Sequence, residues 1–408
     1  MVPEPDLERF TLPIPFATGA DGERLARAWE EVDRTGDITP VLEHSARRGR
    51  GSVNGTVGII ANPVSGRDVR RVAARGAVST TEDKRNRIAR AVIGAVTAGA
   101  TRIVAMAEPF GIATGALTDL RINAEIEIVD VGATVSPADT VRAVEAMRAR
   151  DVEVLVTLGG DGTNRTVSAV WPEATLVPMS TGTNNVFPSL TEPTVAGAAA
   201  GLVASGVVDA ADCAPRSKLI AIELSGSSTD IALIDAVTLA DDFVGNRMPA
   251  DGALIRQVLV SRAHPASIGL SSLAGLLRPC SFEEDAGVLV ECGPGGQPMR
   301  VALAPGLYRT VSVLDHREVP LGVPVELRGP TVLSLDGDRE HTIDADDVAS
   351  AEVRRCGPRV VDVERALELG AAAGVFTTTQ APTGNRALNE RPTVHYHHAD
   401  GTPIRDCC

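Results

Sequence analysis

Apolar and polar residues follow two different patterns along this chain, and the first pattern runs from residue 57 to about residue 206. Five short apolar runs predict buried strands: VGIIANP, RIVAMA, EIEIVDV, VEVLVTL and TLVPMS. Four further segments predict helices: RNRIARAVIGAVTAG, PADTVRAVEAMRAR, TNRTVSAV and TVAGAAAGLVASG. Strands that alternate with helices in this way predict an α/β domain, with a parallel sheet and helices on both of its faces.

The second pattern, from Leu219 to Val353, consists of many short apolar runs separated by turn residues. It is typical of a β-sandwich or a barrel-like domain. The following segment, RVVDVERALELGAAAGVF, predicts a strand and a helix that return to the first domain. The predicted organisation is an N-terminal extension (1–53), an α/β nucleotide-binding domain (54–206), a β-rich domain (207–353), a return segment (354–376) and a disordered tail (377–408).

Composition and charge narrow the range of partners. The chain has 408 residues and a formal net charge of −14, which argues against nucleic acid or an anionic membrane surface as the main partner. No run approaches the roughly 20 apolar residues of a membrane-spanning helix, and the N-terminal residues do not resemble a secretory signal. We therefore expect a cytoplasmic protein that acts on a small molecule.

Cysteine and histidine residues raise one alternative at the C-terminus. Four of the six cysteines are scattered singly, which is typical of reduced cysteines in a cytoplasmic protein. The Cys407–Cys408 pair follows His395, His397 and His398, so a metal site is conceivable there. The spacing matches no standard zinc pattern, and a disordered tail is the preferred interpretation.

Three glycine-containing loops follow predicted strands: NPVSG (62–66), GGDGT (159–163) and STGTNN (180–185). The carboxyl ends of parallel strands lie at one edge of a sheet, where ligands bind. In GGDGT the glycines permit close approach and expose backbone N–H groups, and the helix that follows adds positive potential. This loop is predicted to hold phosphate.

Asp161, in the middle of GGDGT, is the residue that suggests a catalytic or metal-binding role. A carboxylate beside bound phosphates is repelled unless it holds a metal or takes a proton. It would therefore act as a general base for an attacking hydroxyl or as a ligand of Mg²⁺. The alternative is a tight turn in which Asp serves only as a turn residue. The presence of three such loops favours the phosphate site, and the absence of a Walker motif excludes an ordinary P-loop enzyme.

The strings IIANPVSGRDVRR, TLGGDGTNR, STGTNNVFP, APGL and GPRVVDVE, together with LSLDGDRE, resemble the NAD kinase/diacylglycerol kinase superfamily. Within it they are most similar to the ATP-NAD kinase-like branch that includes the acetoin-catabolism protein AcoX. The resemblance covers Gly55 to Phe376. It implies an NAD kinase-like α/β domain, a β-rich C-terminal domain and an active site in the cleft between them. It also implies ATP as donor, Mg²⁺, a hydroxyl as acceptor and self-association, as a dimer, through the β-rich domain.

The resemblance also implies roles for individual residues. Asp161 matches the catalytic aspartate, and Asp336 and Asp338 are assigned to metal, with Asp338 standing where relatives often carry Glu. The predicted nucleotide-binding residues lie in the three loops: Asn62, Ser65, Gly66, Gly159, Gly160, Gly162, Thr163, Gly182, Thr183, Asn184 and Asn185.

The leading functional hypothesis is an ATP-dependent kinase for a small metabolite whose identity the sequence leaves open. A genuine NAD kinase is the first alternative, although Asn185 replaces an acidic residue and the segment GSTAY of NAD kinases is missing. A non-catalytic nucleotide-binding protein is the second. A lipid kinase is disfavoured because no basic or amphipathic membrane-docking segment is found.

Two further features of the sequence allow two interpretations each. Arg165 would either neutralise a phosphate or lie as a solvated charge on its helix. The polar insertion FVGNRMPAD (243–251) would either form the acceptor side of the cleft or be an ordinary surface loop. The isolated His264, His316 and His341 are interpreted as structural.

Overall fold

The structure is a computed structural model that describes residues 55–66, 74–75, 79–181, 185–225, 228–377 and 392–404. The predicted N-terminal extension lies outside these ranges. So do three predicted site residues, Gly182, Thr183 and Asn184, and the Cys407–Cys408 pair.

Seventeen strands and eight helices of the described residues are numbered here in chain order. The strands are β1 (Thr56–Ala61), β2 (Arg102–Ala107), β3 (Glu125–Asp130), β4 (Val154–Gly159), β5 (Thr175–Ser180), β6 (Leu219–Glu223), β7 (Thr229–Ala232), β8 (Asp235–Leu239), β9 (Ile255–Val260), β10 (Ala286–Ala304), β11 (Leu307–Pro320), β12 (Pro324–Arg328), β13 (Thr331–Leu335), β14 (Asp338–Ile343), β15 (Val348–Arg354), β16 (Arg359–Val360) and β17 (Val394–His398). The helices are α1 (Thr81–Thr97), α2 (Ile112–Leu117), α3 (Pro137–Arg148), α4 (Asp161–Val170), α5 (Pro193–Ala204), α6 (Ala210–Cys213), α7 (Leu270–Leu277) and α8 (Val363–Ala372).

The first domain is built on a seven-stranded sheet in the order β16-β5-β4-β1-β2-β3-β17. Every pairing in it is parallel. All six residues of β1 and of β4 are buried, because helices cover both faces of the sheet. The predicted α/β domain is confirmed, and β1, β4 and β5 end at the same edge.

Helices α1 and α5 pack unusually closely, and this fixes α1 beside the edge where those strands end. A Cβ atom added to Gly197 of α5 would lie 1.8 Å from the carbonyl oxygen of Ala91, and one added to Gly94 of α1 would lie 2.0 Å from that of Thr194. Only glycine permits such an approach of two backbones. The first turns of α1 are thereby held next to the loop that follows β1.

The second domain is a sandwich of two antiparallel sheets. One contains six strands in the order β11-β10-β9-β8-β13-β14, and the other four in the order β12-β15-β6-β7. Apolar residues from both sheets, among them Ile220, Leu289, Leu333 and Val353, share one buried cluster. The prediction of a β-rich domain is confirmed. Several of the predicted short runs belong to one long hairpin of β10 and β11. Bulges near Cys292 make the strand pairing of this hairpin irregular.

The C-terminal part of the chain returns twice to the parallel sheet. Strand β16 pairs with β5, and α8 contacts α5. Strand β17 pairs with β3 at the opposite edge, so the prediction of a disordered tail is wrong for this segment. Its five residues, VHYHH, include only two apolar side chains, Val394 and Tyr396, which pack on the core. That signal is too weak to identify a strand without its partner.

A buried carboxylate on β3 connects β17 to the sheet. Glu127 accepts hydrogen bonds from Arg102 Nη2 (2.5 Å) and Arg150 Nε (2.6 Å), and its Oε1 lies 3.0 Å from His397 Nδ1. Burial raises the pKa of Glu127, but the two arginines outweigh it, and the pKa lies below its ordinary value of 4.5. The histidine thus has a structural partner, and no three metal-ligating side chains converge among the residues described.

Replacing Glu127 with Gln should lower the free energy of unfolding at pH 7 by about 1.5–3 kcal/mol, because the hydrogen bonds to charged groups are weakened. A carboxylate with a lowered folded-state pKa stabilises the fold above its unfolded-state pKa, and this contribution is lost as the pH falls through the folded-state value. The difference between variant and wild type, measured by urea unfolding, should therefore shrink below pH 4.5. Glu125→Gln, at a half-exposed neighbour, is the control; an equal deficit at pH 7 and pH 3 would contradict the assignment.

None of the described helices combines the length and apolar character needed to cross a membrane.

Candidate active site

The predicted loops meet around one cavity of about 690 Å³ at the carboxyl edge of the parallel sheet. Residues of the β-rich domain close the opposite side. The predicted site residues that line the cavity are Asn62, Ser65, Gly66, Gly160, Asp161, Gly162, Thr163, Asn185, Asp336 and Asp338. Gly159 is the last residue of β4 and lies behind the loop. The structure therefore brings together most of the residues predicted from sequence.

The loop after β1 is bonded to both other loops. Asn62 Oδ1 accepts the N–H groups of Val64 and Ser65 at 3.0 and 3.1 Å, while Asn62 Nδ2 donates to Thr163 Oγ1 at 2.9 Å. Ser65 Oγ donates to the Asn62 carbonyl at 2.8 Å and accepts from Thr181 Oγ1 at 2.7 Å. The three loops thus form one hydrogen-bonded unit.

Two basic side chains on α1, Lys84 and Arg87, support this unit, and no motif in the sequence marks either of them. Lys84 is 0% exposed, and its Nζ donates to the carbonyls of Asn62 (2.9 Å) and Pro63 (2.7 Å). Arg87 Nη1 donates to the carbonyl of Ser180 at 2.7 Å. Both residues stand in the charged run TEDKRNR, which reads as an ordinary solvated helix end. Their positive charge favours an anion at this edge of the sheet.

Two glycines of GGDGT lie close to side chains of other segments. Gly160 is the N-cap of α4, and a Cβ atom there would lie 2.9 Å from Asn185 Oδ1. A Cβ atom on Gly162 would lie 3.2 Å from Asp338 Oδ2. The loop therefore touches the third glycine loop on one side and the β-rich domain on the other.

Asp161, the predicted catalytic residue, is the first residue of α4 and lies half-buried in the cavity wall. Its Oδ1 accepts the N–H groups of Phe187 (2.9 Å) and Val186 (3.2 Å), and Oδ2 also receives Val186 N–H at 3.1 Å. These donors lie just after STGTNN. They stabilise the ionised carboxylate and fix its orientation, which gives the third loop a role that the sequence did not indicate.

The surroundings of Asp336 disfavour the metal role predicted for it. Asp336 and Gly337 form the tight turn between β13 and β14, both with positive φ. The Asp336 side chain is 0% exposed, and it accepts the N–H groups of Leu233, Ile234 and Asp235 at 2.8, 2.7 and 3.2 Å. Burial raises its pKa above the ordinary value although these donors oppose the shift. Its oxygens hold the β-rich domain together, and Asp338 is the carboxylate that remains at the glycine loop.

Arg165 is not the solvated helix charge that was one of its two predicted alternatives. Its guanidinium lies 3.6 Å from Asp230 and 4.0 Å from Asp336, and it is paired with Glu340. Burial lowers the pKa of Arg165, but the carboxylates of Asp336, Glu340 and Asp230 raise it above its usual range. Asp230 also lies 2.8 Å from His341 Nε2. Arg165 is thus a buried link from α4 to the β-rich domain.

Comparison with known proteins now adds to this geometry. The family model of the ATP-NAD kinase N-terminal domain matches residues 57–207, and that of the acetoin catabolism protein X C-terminal domain matches residues 218–356. Acetoin catabolism protein X of Cupriavidus necator is 34% identical over 322 residues, which cover 75% of this chain and 90% of that relative. The chain belongs to the acetoin catabolism protein X family. The predicted resemblance is confirmed, and the match supports a kinase-like enzyme.

Two solved structures are remotely similar to this acetoin catabolism protein X family member. Yeast NADH kinase complexed with NADH has a TM-score of 0.42 and 13% identity, over 81% of this chain and 90% of that chain. A putative diacylglycerol kinase from Bacillus anthracis str. Sterne has a TM-score of 0.43 and 11% identity, over 75% and 97%. The family assignment does not depend on either.

Proposed function

We propose that this protein transfers the γ-phosphoryl group of ATP to a hydroxyl group of a small metabolite. One observation carries the proposal. The carboxylate of Asp161 lies in the cavity where the glycine loops meet, at the N-terminus of α4, oriented by the backbone N–H groups of Val186 and Phe187.

Phosphoryl transfer asks mainly for positioning and for stabilisation of charge. The loop after β4 supplies backbone N–H groups and a helix N-terminus for the phosphates, and Lys84 adds a buried positive charge beneath the loop after β1. The acceptor hydroxyl oxygen would form the new bond to the γ-phosphorus while the bond to the departing ADP oxygen breaks. The proton of the acceptor hydroxyl would pass to a carboxylate oxygen of Asp161.

The residues present fit a role for Mg²⁺, which prefers oxygen ligands and is commonly held by one or two carboxylates together with substrate phosphates. Asp338 would hold it, because its carboxylate stands beside Gly162 at the phosphate loop. When bound, the ion would neutralise charge on the phosphates. Asp336 does not fit, since its oxygens are taken by backbone donors.

Two features of the cavity favour an acceptor other than NAD: the contacts of Asn185, which stands where NAD kinases carry an acidic residue, and the carboxylates of the cavity wall. Asn185 Nδ2 donates to Ser180 Oγ at 2.9 Å, and its Oδ1 faces Gly160, so its amide joins two loops. The carboxylates of Asp230, Asp338 and Glu340 also line the cavity. They disfavour an acceptor that would bring further phosphates next to a triphosphate.

The test is an acceptor screen with purified protein, Mg²⁺ and γ-labelled ATP. Wild type should transfer label to at least one uncharged hydroxylated metabolite, and Asp161→Asn should do so far more slowly. Formation of NADP from NAD would instead support the NAD kinase alternative. Tight ATP binding without transfer to any acceptor would support the non-catalytic alternative, and no ATP binding would reject the proposal.

A further inference from the structure

The described wall of the cavity carries far more acidic than basic side chains. Its acidic residues are Asp139, Asp161, Asp230, Asp336, Asp338 and Glu340. The basic residues among the described lining are Arg165 and Arg247. A phosphate donor that enters such a cavity needs cations, so the availability of each arginine matters.

The positive charge of Arg165 is already offset by neighbouring carboxylates. Its guanidinium is surrounded by three carboxylates and its side chain is 12% exposed. To bind a phosphate it would have to leave Asp336, whose carboxylate is fully buried, and removing one partner from a buried ion pair is costly.

Arg247 is in the opposite situation. It is exposed, and it makes no hydrogen bond or ion pair to another described residue. Its position is nonetheless defined by its neighbours. Asp242 accepts from Arg339 Nε at 3.1 Å and from Asn246 Nδ2 at 2.6 Å, and Asn246 Oδ1 accepts the N–H of Met248 at 3.0 Å. Both residues next to Arg247 are thereby held in place, while its own guanidinium has no partner among the residues that the structure describes.

Arg247 also lies in a different domain from the glycine loops. It belongs to the segment between β8 and β9 of the β-rich domain, on the side of the cavity that supplies Asp230, Asp338 and Glu340. The α/β domain supplies the phosphate loop. A ligand between them would meet backbone N–H groups on one side and a guanidinium on the other.

We propose that Arg247 binds the γ-phosphoryl group of the nucleotide during its transfer; this inference rests on the proposed function. A guanidinium presents two parallel N–H donors to a phosphate and stays charged at any physiological pH. Within the cavity that the phosphate loop also lines, it would offset the charge that builds up on the transferred group. It would also let the site distinguish ATP from ADP, since ADP lacks the group that it contacts.

The experiment measures the Kd values of Mg²⁺ with a non-hydrolysable ATP analogue and of Mg²⁺ with ADP, by isothermal titration calorimetry. In Arg247→Ala the affinity for the ATP analogue should fall about 10- to 100-fold, as expected for loss of a hydrogen bond to a charged group, while the affinity for ADP stays close to that of wild type. Arg247→Lys should recover part of the loss. Arg300→Ala, an exposed arginine of β10 that does not line the cavity, should bind like wild type.

The outcomes separate this inference from the proposed function. Unchanged affinity for both nucleotides in Arg247→Ala would overturn the inference, and so would an equal loss for both, because the contact would then not be to the γ-phosphoryl group. If wild type binds neither nucleotide, the proposed function fails and the inference fails with it. Equal melting temperatures of wild type and Arg247→Ala are expected and would exclude a loss of folding as the cause.

Discussion

Replacement of Asp161 by Asn is expected to lower kcat by about 10²- to 10⁴-fold, the usual contribution of a general base. ATP binding should change little. The two side chains have nearly the same shape, and Oδ1, which receives both Val186 and Phe187 N–H groups, is retained as the amide oxygen. What is lost is the ability to accept a proton from the acceptor hydroxyl.

Single-turnover transfer of labelled phosphate and the Kd of ATP should both be measured for this variant. Asp119→Asn, at an exposed aspartate outside the cavity lining, is the matched control and should behave like wild type. Near-normal turnover in Asp161→Asn would remove the base role. A loss of ATP binding equal to the loss of turnover would instead assign the carboxylate to holding the third loop.

Replacement of Arg165 by Met is expected to lower the free energy of unfolding at pH 7 by about 3–5 kcal/mol, the cost of leaving a buried charge without its partner. Methionine preserves much of the apolar volume, so the effect reports the charge. Asp336 is the residue most affected, because its carboxylate has no access to solvent and its pKa is already raised by burial.

The destabilisation caused by Arg165→Met is expected to depend on pH, because the pKa of Asp336 is raised in the folded state. An acid whose pKa is raised in the folded state weakens the fold above that pKa, and the penalty disappears as protonation occurs below it. The deficit of Arg165→Met relative to wild type should therefore become smaller as the pH falls through the raised pKa of Asp336.

Urea unfolding over a range of pH would measure both effects. Arg90→Met removes a pair with Glu192 in which both side chains are about half exposed and should cost less than about 1 kcal/mol. A cost for Arg165→Met no greater than that control would show that the cluster does not hold the two domains together. Arg165→Met/Asp336→Asn should be more stable than the sum of its single variants predicts.

Much of the fold was predictable because its signals are local. The runs that became β1 and β4 are mostly apolar, as burial on both faces of a sheet favours. The β-rich second domain was predicted, as a sandwich or a barrel, from the spacing of turns. Strand β17 was missed because a strand at the edge of a sheet is defined by backbone pairing with β3, which a short stretch of histidines does not reveal.

The candidate site likewise has features that the local sequence predicts and features that depend on long-range packing. By itself the sequence determined the glycine loops, their place after parallel strands and Asp161 as the acid among them, because each depends on residues close together in the chain. Only the tertiary structure showed that Asp336 is bound by backbone donors while Asp338 stands beside Gly162, and which groups Lys84 and Arg165 contact. Their roles depend on groups that are distant in sequence: Lys84 meets a loop 22 residues away, and Arg165 meets Glu340 across 175 positions. A charged side chain acts according to its burial and its partners, and both are set by the packing of the two domains.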